Sequence, residues 1–145
     1  MNRTLRGLFG IGLVALLAAC ASGPKYEAVH ATFPDIDPNS GRIFFYREAV
    51  FFGDGVQPDV KLNGQIVGSA QPDGFFFVDR PPGDYEVLTS TEVDERLTFT
   101  LREAQTRYVK LSIQMGVIVG RVIPTLVDEQ EGKDALVGLS YTGRR

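Results

Sequence analysis

Few side chains in this sequence can do chemistry, and their spacing decides which kind. The chain has one thiol, Cys20, and one histidine, His30. No His pair, Cys–His pair or thiolate cluster is therefore available for zinc. Five acids, Asp54, Asp59, Asp73, Asp79 and Asp84, all fall near Gly, Pro or Asn. Two convergent carboxylates would do acid–base work on a glycosidic bond, and a denser set would hold calcium. Their spacing matches no calcium loop, and forming or solvating turns is the plainer role. Glycine-rich phosphate signatures are absent. A nucleophile–histidine arrangement would need His30 to fold back on Ser69, Ser90 or Ser112; a plain linker histidine is better supported. The expectation is no catalytic residue, no metal ligand and no cofactor.

The thiol has the most specific context. Arg3 and Arg6 precede an apolar run from Gly7 to Ala19, the order of a secretory signal. That run is 13 residues long, short of the roughly 17 to 25 that cross a bilayer as a helix. It ends in Leu17-Ala18-Ala19-Cys20. Small residues there suit a peptidase subsite, and the sulfur of Cys20 is a nucleophile. These four residues resemble the lipobox of bacterial lipoproteins. The resemblance implies cleavage between Ala19 and Cys20, thioether acylation of Cys20, and N-acylation of its freed amine. Several acyl chains, at about 0.8 kcal/mol per buried methylene, exceed what stable anchoring needs. Ala21 stands where lipoproteins kept at the inner membrane often carry Asp, so the resemblance implies the outer membrane, facing the periplasm.

Composition narrows the partners. Lys plus Arg is 15 and Asp plus Glu is 18 over 145 residues. Without Arg3 and Arg6 the balance becomes 13 against 18, or −5. Nucleic acid wants a clustered positive surface, so it is not an expected partner. Docking on anionic lipid by charge is disfavoured too. With Cys20 used by acylation no internal disulfide can form, and the fold must rest on apolar packing.

Those residues need a frame. The sequence divides into a lipoprotein signal peptide over 1–19, an acylated cysteine and flexible tether over 20–40, and a β-domain over 41–145. Gly, Pro, Asp and Asn recur in the tether, and a coil of that length spans about 25 Å. Tyr26, Val29, Phe33 and Ile36 are apolar enough for part of it to dock instead. From Gly41 the pattern turns to strands. Asn63–Gly64 between short runs predicts a tight hairpin, with Val60 opposite Val67 and Leu62 opposite Gln65. Gly74–Val87 predicts a second hairpin, turned at Pro82 and Gly83 in a type II turn. Phe75, Phe76 and Phe77 put aromatic area on both faces, as a central or covered strand requires. Leu97, Phe99 and Leu101 alternate with polar residues, as do Val109, Leu111 and Ile113. Pro124 bars the strand around it from the middle of a sheet. Asp128, Glu131 and Gly138 frame a short helix. The fold class expected is all-β: a small antiparallel β-sandwich of about seven to eight strands with one short C-terminal helix.

The stretch Arg80-Pro81-Pro82-Gly83-Asp84-Tyr85-Glu86-Val87 is similar to hairpins of PEGA domains and of transthyretin-like regulatory domains. Both are small sandwiches that serve as accessory modules. With Tyr46-Arg47, the Pro58–Gly64 stretch and Gly74-Phe-Phe-Phe-Val-Asp, it resembles a family of bacterial lipoproteins catalogued as a domain of unknown function, over about residues 41 to 127. The resemblance brings no catalytic residues.

One apolar set stands apart. Phe51 and Phe52, with Met115, Val117, Ile118 and Val119, are either core or an exposed patch for a protein partner or lipid. Arg47, Arg80 and Arg121 either line a groove for an acidic ligand or are solvated or paired with the turn acids. The function expected is a non-catalytic binding or structural module anchored to the envelope through lipid on Cys20, with an unidentified envelope protein as partner. The alternatives are a hydrolase of envelope polysaccharide or peptide, with two acids converging in a cleft, and an inhibitor or immunity-type lipoprotein whose Phe-rich loops plug another protein.

Overall fold

Alternating apolar residues build two sheets in the structure, a computed structural model that describes residues 21–143. The predicted cleavage and acylation site, Ala19 and Cys20, lies outside those residues. Nine strands are described: β1 (Gly41–Arg47), β2 (Asp59–Leu62), β3 (Gln65–Ser69), β4 (Gly74–Arg80), β5 (Gly83–Ser90), β6 (Asp94–Leu101), β7 (Thr106–Gln114), β8 (Arg121–Val127) and β9 (Ser140–Tyr141). One sheet has the order β8-β7-β1-β4-β9 and the other β3-β2-β5-β6. The all-β sandwich stands, with α1 (Tyr26–Val29) near its start and α2 (Glu129–Leu136) near its end.

The first sheet is mixed rather than antiparallel. β1 runs parallel to β7, and β4 parallel to β9. Parallel neighbours need long crossovers. Here the crossover from β1 to β7 runs through the whole second sheet. β1 is the centre of the molecule and is buried along its length. Its inner residues Ile43 and Phe45 join Val60, Leu62, Phe76, Val87, Leu101, Val109 and Leu111 in the core between the sheets. The hydroxyl of buried Thr89 on β5 donates to the Val122 carbonyl on β8, tying one sheet to the other.

Two register expectations are corrected. The Asn63–Gly64 turn has φ of 48° and 81°, as a two-residue hairpin requires, and Leu62 faces Gln65. A bulge between Val60 and Lys61 then pairs Val60 with Gly68 rather than Val67. The Phe76 ring lies against Gly68, where a Cβ would come within 2.6 Å of it. The Gly74–Val87 stretch is not a hairpin: β4 belongs to one sheet and β5 to the other. Pro81 and Pro82 have no N–H to give a ladder, and the chain turns a corner between layers there. Gly83 accordingly has φ 157°, not the roughly +80° of a type II turn.

The outer face of the first sheet is covered. β4 is a central strand, with Phe76 turned inward and Phe75 and Phe77 outward. The α2 helix packs over Tyr108, capped as expected by Asp128, whose carboxylate accepts from the Glu131 N–H at 2.8 Å. Beside it lie residues 21–40. These are not a free tether but an arm docked on the sheet. Tyr26 meets Phe75 at 5.5 Å, and Phe33 meets Phe77 at 4.7 Å and Tyr141 at 5.6 Å. Arg42 holds the arm's far part by donating to the Pro34 carbonyl at 2.8 Å, while gripping both oxygens of Asp79. Aromatic area on both faces of β4 is the physical reason: Tyr26, Val29 and Phe33 of the arm pack with Phe75 and Phe77, apolar surface that would otherwise face water. β8 is an edge strand, which accommodates Pro124.

Candidate functional site

Strand directions gather four loops at one end of the sandwich. β1 finishes at Arg47 opposite Gly74, where β4 begins. β7, parallel to β1, finishes at Gln114 opposite Arg121, where β8 begins. Loops 48–58, 70–73 and 115–120 therefore emerge together. The β5–β6 turn joins them, because Glu92 bonds directly to loop 115–120. Loops 48–58 and 115–120 both close on the Ile113 side chain. A Cβ on Gly53 would stand 2.1 Å from Ile113 Cδ1, and one on Gly120 would stand 2.9 Å from it.

This end carries the apolar set named from the sequence, and it is exposed. Phe51 is fully open to solvent, Val117 and Ile118 are each 87% exposed, and Phe52, Met115 and Val119 are also exposed. Val50 and Val93 belong with them, so eight of the ten exposed large hydrophobic residues described lie on these loops. The turns at the opposite end, Asn63–Gly64, Pro81–Pro82 and Arg102–Gln105, carry none of the ten. The set is a patch, not core: the inner cluster is complete without it.

Polar residues hold the loops rigid from beneath. Glu92 Oε1 accepts from Val117 N at 2.8 Å and from Arg121 Nε at 3.0 Å. Its Oε2 accepts from Ile118 N at 2.8 Å and Val119 N at 3.4 Å. The Ile118 amide, then Arg121, then the Val117 amide hold this carboxyl well below its ordinary range, at about 2. Arg47 does the same for the neighbouring loop. Arg47 is 1% exposed, and its guanidinium donates to the carbonyls of Val56 at 2.5 Å, Ala70 at 2.7 Å and Gly53 at 2.8 Å. Burial pulls its pKa down, and Asp54 partly offsets that. Arg47 Nε has no partner.

The other sequence candidates do not converge. Arg47 is used by carbonyls and Arg121 by Glu92, while Arg80 lies at the opposite end and donates to the Asp79 carbonyl. They line no common groove. Asp79 and Asp84 sit at that far end, whereas Asp54, Asp59 and Asp73 sit on three segments near the apolar end. Asp79 is paired with Arg42 at 2.7 Å and Asp73 with Lys25 at 3.1 Å. Asp84 accepts from the Thr100 hydroxyl at 2.6 Å. His30 stacks on Tyr26 within the arm, its Nδ1 3.2 Å from the Tyr26 carbonyl. Among the described residues no group of three or more His, Cys, Asp or Glu is placed to hold a metal ion. Nor is any described helix long and apolar enough to cross a membrane.

The roles of Glu92 and Arg47 were not legible beforehand. Glu92 reads as one more acid in a turn, and its partners lie 25 to 29 residues away.

A family model described as a protein of unknown function (DUF2846) matches residues 37–122. That span runs from the end of the arm through β7 into β8 and includes every apolar loop of the candidate site. No curated protein and no solved structure matches the chain.

Proposed function

Because the chain belongs to the DUF2846 family, whose description assigns no activity, we propose a function from its own residues: a lipoprotein of the cell envelope, anchored by acyl chains on Cys20, whose sandwich is a non-catalytic binding or structural module in the periplasm. The module is of the accessory kind that PEGA and transthyretin-like domains represent, it works from the outer membrane, and an envelope protein is its partner. The Leu17-Ala18-Ala19-Cys20 motif after the apolar run is what supports the anchoring, and the docked arm says where it would act. Ala21, the residue after Cys20, is already tied to the body, its N–H donating to the Pro72 carbonyl at 3.1 Å. Lipid on Cys20 would hold the sandwich against the membrane, not at the end of a long coil. The polar groups most able to do chemistry hold structural bonds instead: Arg42 with Asp79, Arg47 with three carbonyls, Glu92 with Arg121.

Intact-mass measurement of the native product, extracted from membranes, tests this. The expected product begins at Cys20 and carries acyl chains, and Cys20→Ala should leave it unprocessed. A native product that begins at Met1 with no fatty acid would overturn the reading.

A second reading, the inhibitor or immunity-type lipoprotein, is favoured by the open position of Phe51, which a loop that plugs a partner requires. The hydrolase reading gains no such support, since Asp73 and Asp79 are committed to ion pairs and Asp84 lies at the far end.

A further inference from the structure

We infer that the apolar loops 48–58 and 115–120 are a second membrane contact, seated in the lipid of the same bilayer that the acyl chains on Cys20 enter. The inference rests on the lipoprotein reading and adds an orientation to it. Its ground is where the arm ends. Ala21 bonds to Pro72 and sits against Gly74, the first residue of β4. Gly74 is paired with Arg47, the last residue of β1, from which the loop bearing Phe51 and Phe52 departs. Neighbouring strands are about 4.8 Å apart. The β4 corner therefore lies about 5 Å from the root of one apolar loop and about 10 Å from β7, the root of the other. Consecutive Cα atoms are about 3.8 Å apart, so acyl chains borne by Cys20 start from this same end.

The arm leaves no slack to point the domain elsewhere. A free coil would let the sandwich tumble; the docked arm fixes which end meets the lipid. That end holds eight of the ten exposed large hydrophobic residues described, and the opposite turns hold none. The chemistry of the end also favours lipid over a charged partner. Its cation Arg121 is bonded to Glu92, Lys25 is bonded to Asp73, and Arg47 is buried. Among the described residues no free positive cluster is offered to anionic headgroups at this end, and the exposed acids Glu48 and Asp54 of loop 48–58 stay at the headgroup level, so the contact is through the apolar loop tips at the acyl boundary, about 5–10 Å deep. Arg47 joins the pieces, bonding loop 48–58 through Gly53 and Val56 and the segment before β4 through Ala70.

Cys20 is the only cysteine and is consumed by acylation, so one introduced thiol carries a unique fluorophore. Gly55→Cys and Met115→Cys place it on the apolar loops without touching Phe51 or Ile118; Glu103→Cys places it at the far end. The acylated full chain is reconstituted in vesicles of phosphatidylcholine and phosphatidylethanolamine, with acylation confirmed by mass on the same sample. Lipid-borne nitroxide should quench the two loop probes, and aqueous iodide should reach them about tenfold less than the far-end probe, the preference of one large apolar side chain for leaving water. Adding Phe51→Asp and Ile118→Asp should return the Gly55→Cys probe to the iodide level of the far end while the protein stays anchored. Acylated protein whose loop probes meet iodide as freely as Glu103→Cys would overturn the loop contact and leave the anchor standing. Protection that appears only when envelope proteins are added would overturn it in favour of a protein partner. Unacylated native protein would overturn the anchor, and the lipid contact with it.

Discussion

Gly132 looks like a flaw in α2, and replacing it with Ala gives a test in which helix propensity and packing demand opposite signs. Propensity alone favours Ala by about 1 kcal/mol in a helix interior. The structure opposes that. A Cβ at position 132 would lie 2.2 Å from Cγ, 2.4 Å from Cδ1 and 2.6 Å from Cβ of Tyr108. Carbon atoms rest at about 3.5–4.0 Å, so the methyl would intrude by about 1 Å or more on three atoms. Tyr108 has nowhere to go. It is 4% exposed and stacks on Phe44 at 5.4 Å with 7° between the rings. Overpacking in a rigid place costs about 1–3 kcal/mol, and the pinned ring puts this site at the upper end. Against the propensity gain, Gly132→Ala should lose about 2 kcal/mol net. For a domain of this size that is a fall in Tm of about 6–10 °C. Thermal unfolding followed by circular dichroism reads it directly. A Tm equal to or above that of the parent would refute the packing argument and show that α2 floats above the sheet.

Two further outcomes concern the clamps. Arg47→Met keeps the buried stem but leaves the carbonyls of Gly53, Val56 and Ala70 without their donor; relief of the buried charge offsets part of this. Urea unfolding should show a loss of about 2–4 kcal/mol, with faster proteolysis inside 48–58. Glu92 gives a pH dependence. Its folded pKa of about 2 lies below the ordinary 4.5, so its stabilisation is fully present above pH 4.5 and is lost as pH falls toward 2. Amide exchange at Val117 and Ile118, corrected for intrinsic rates, should accelerate over that window, and in Glu92→Gln the acceleration over the same window should vanish.

How far the sequence could be read depended on the range of each interaction. Local signals were reliable: Asn63–Gly64 made its turn, Asp128 capped its helix, and Pro124 fell on an edge strand. Non-local ones were not. The Pro-Pro-Gly stretch looks the same whether a chain reverses within a sheet or crosses between sheets, and only the distant partners of β4 and β5 decide. Three consecutive Phe residues showed that β4 is covered on both faces but not by what; the cover is the arm that composition made look like a tether. The apolar patch shows the limit best. All six of its residues were legible as either core or surface. Their gathering at one end depends on β1 and β7 being parallel neighbours, because parallel strands send both trailing loops the same way. Had the two strands paired antiparallel, as the sequence suggested for the whole sandwich, Phe51 and Ile118 would lie at opposite ends.

The construction of that end argues for contact rather than accident. A loop rich in Val, Ile and Met ordinarily folds its side chains back onto the body, because water penalises their exposure. Here that is prevented by polar means. The amides of Val117, Ile118 and Val119 are all turned toward one carboxylate, which fixes their backbone over Glu92 and leaves their side chains in solvent. Arg47 likewise holds the loop bearing Phe51 by its carbonyls. Both clamps spend charged groups inside the protein to keep apolar groups outside it, the reverse of the usual arrangement. Because the loops are already ordered, a partner that covers them need not immobilise them, and most of the apolar gain goes into binding. On the proposed acylation of Cys20, a lipid surface is the partner closest at hand.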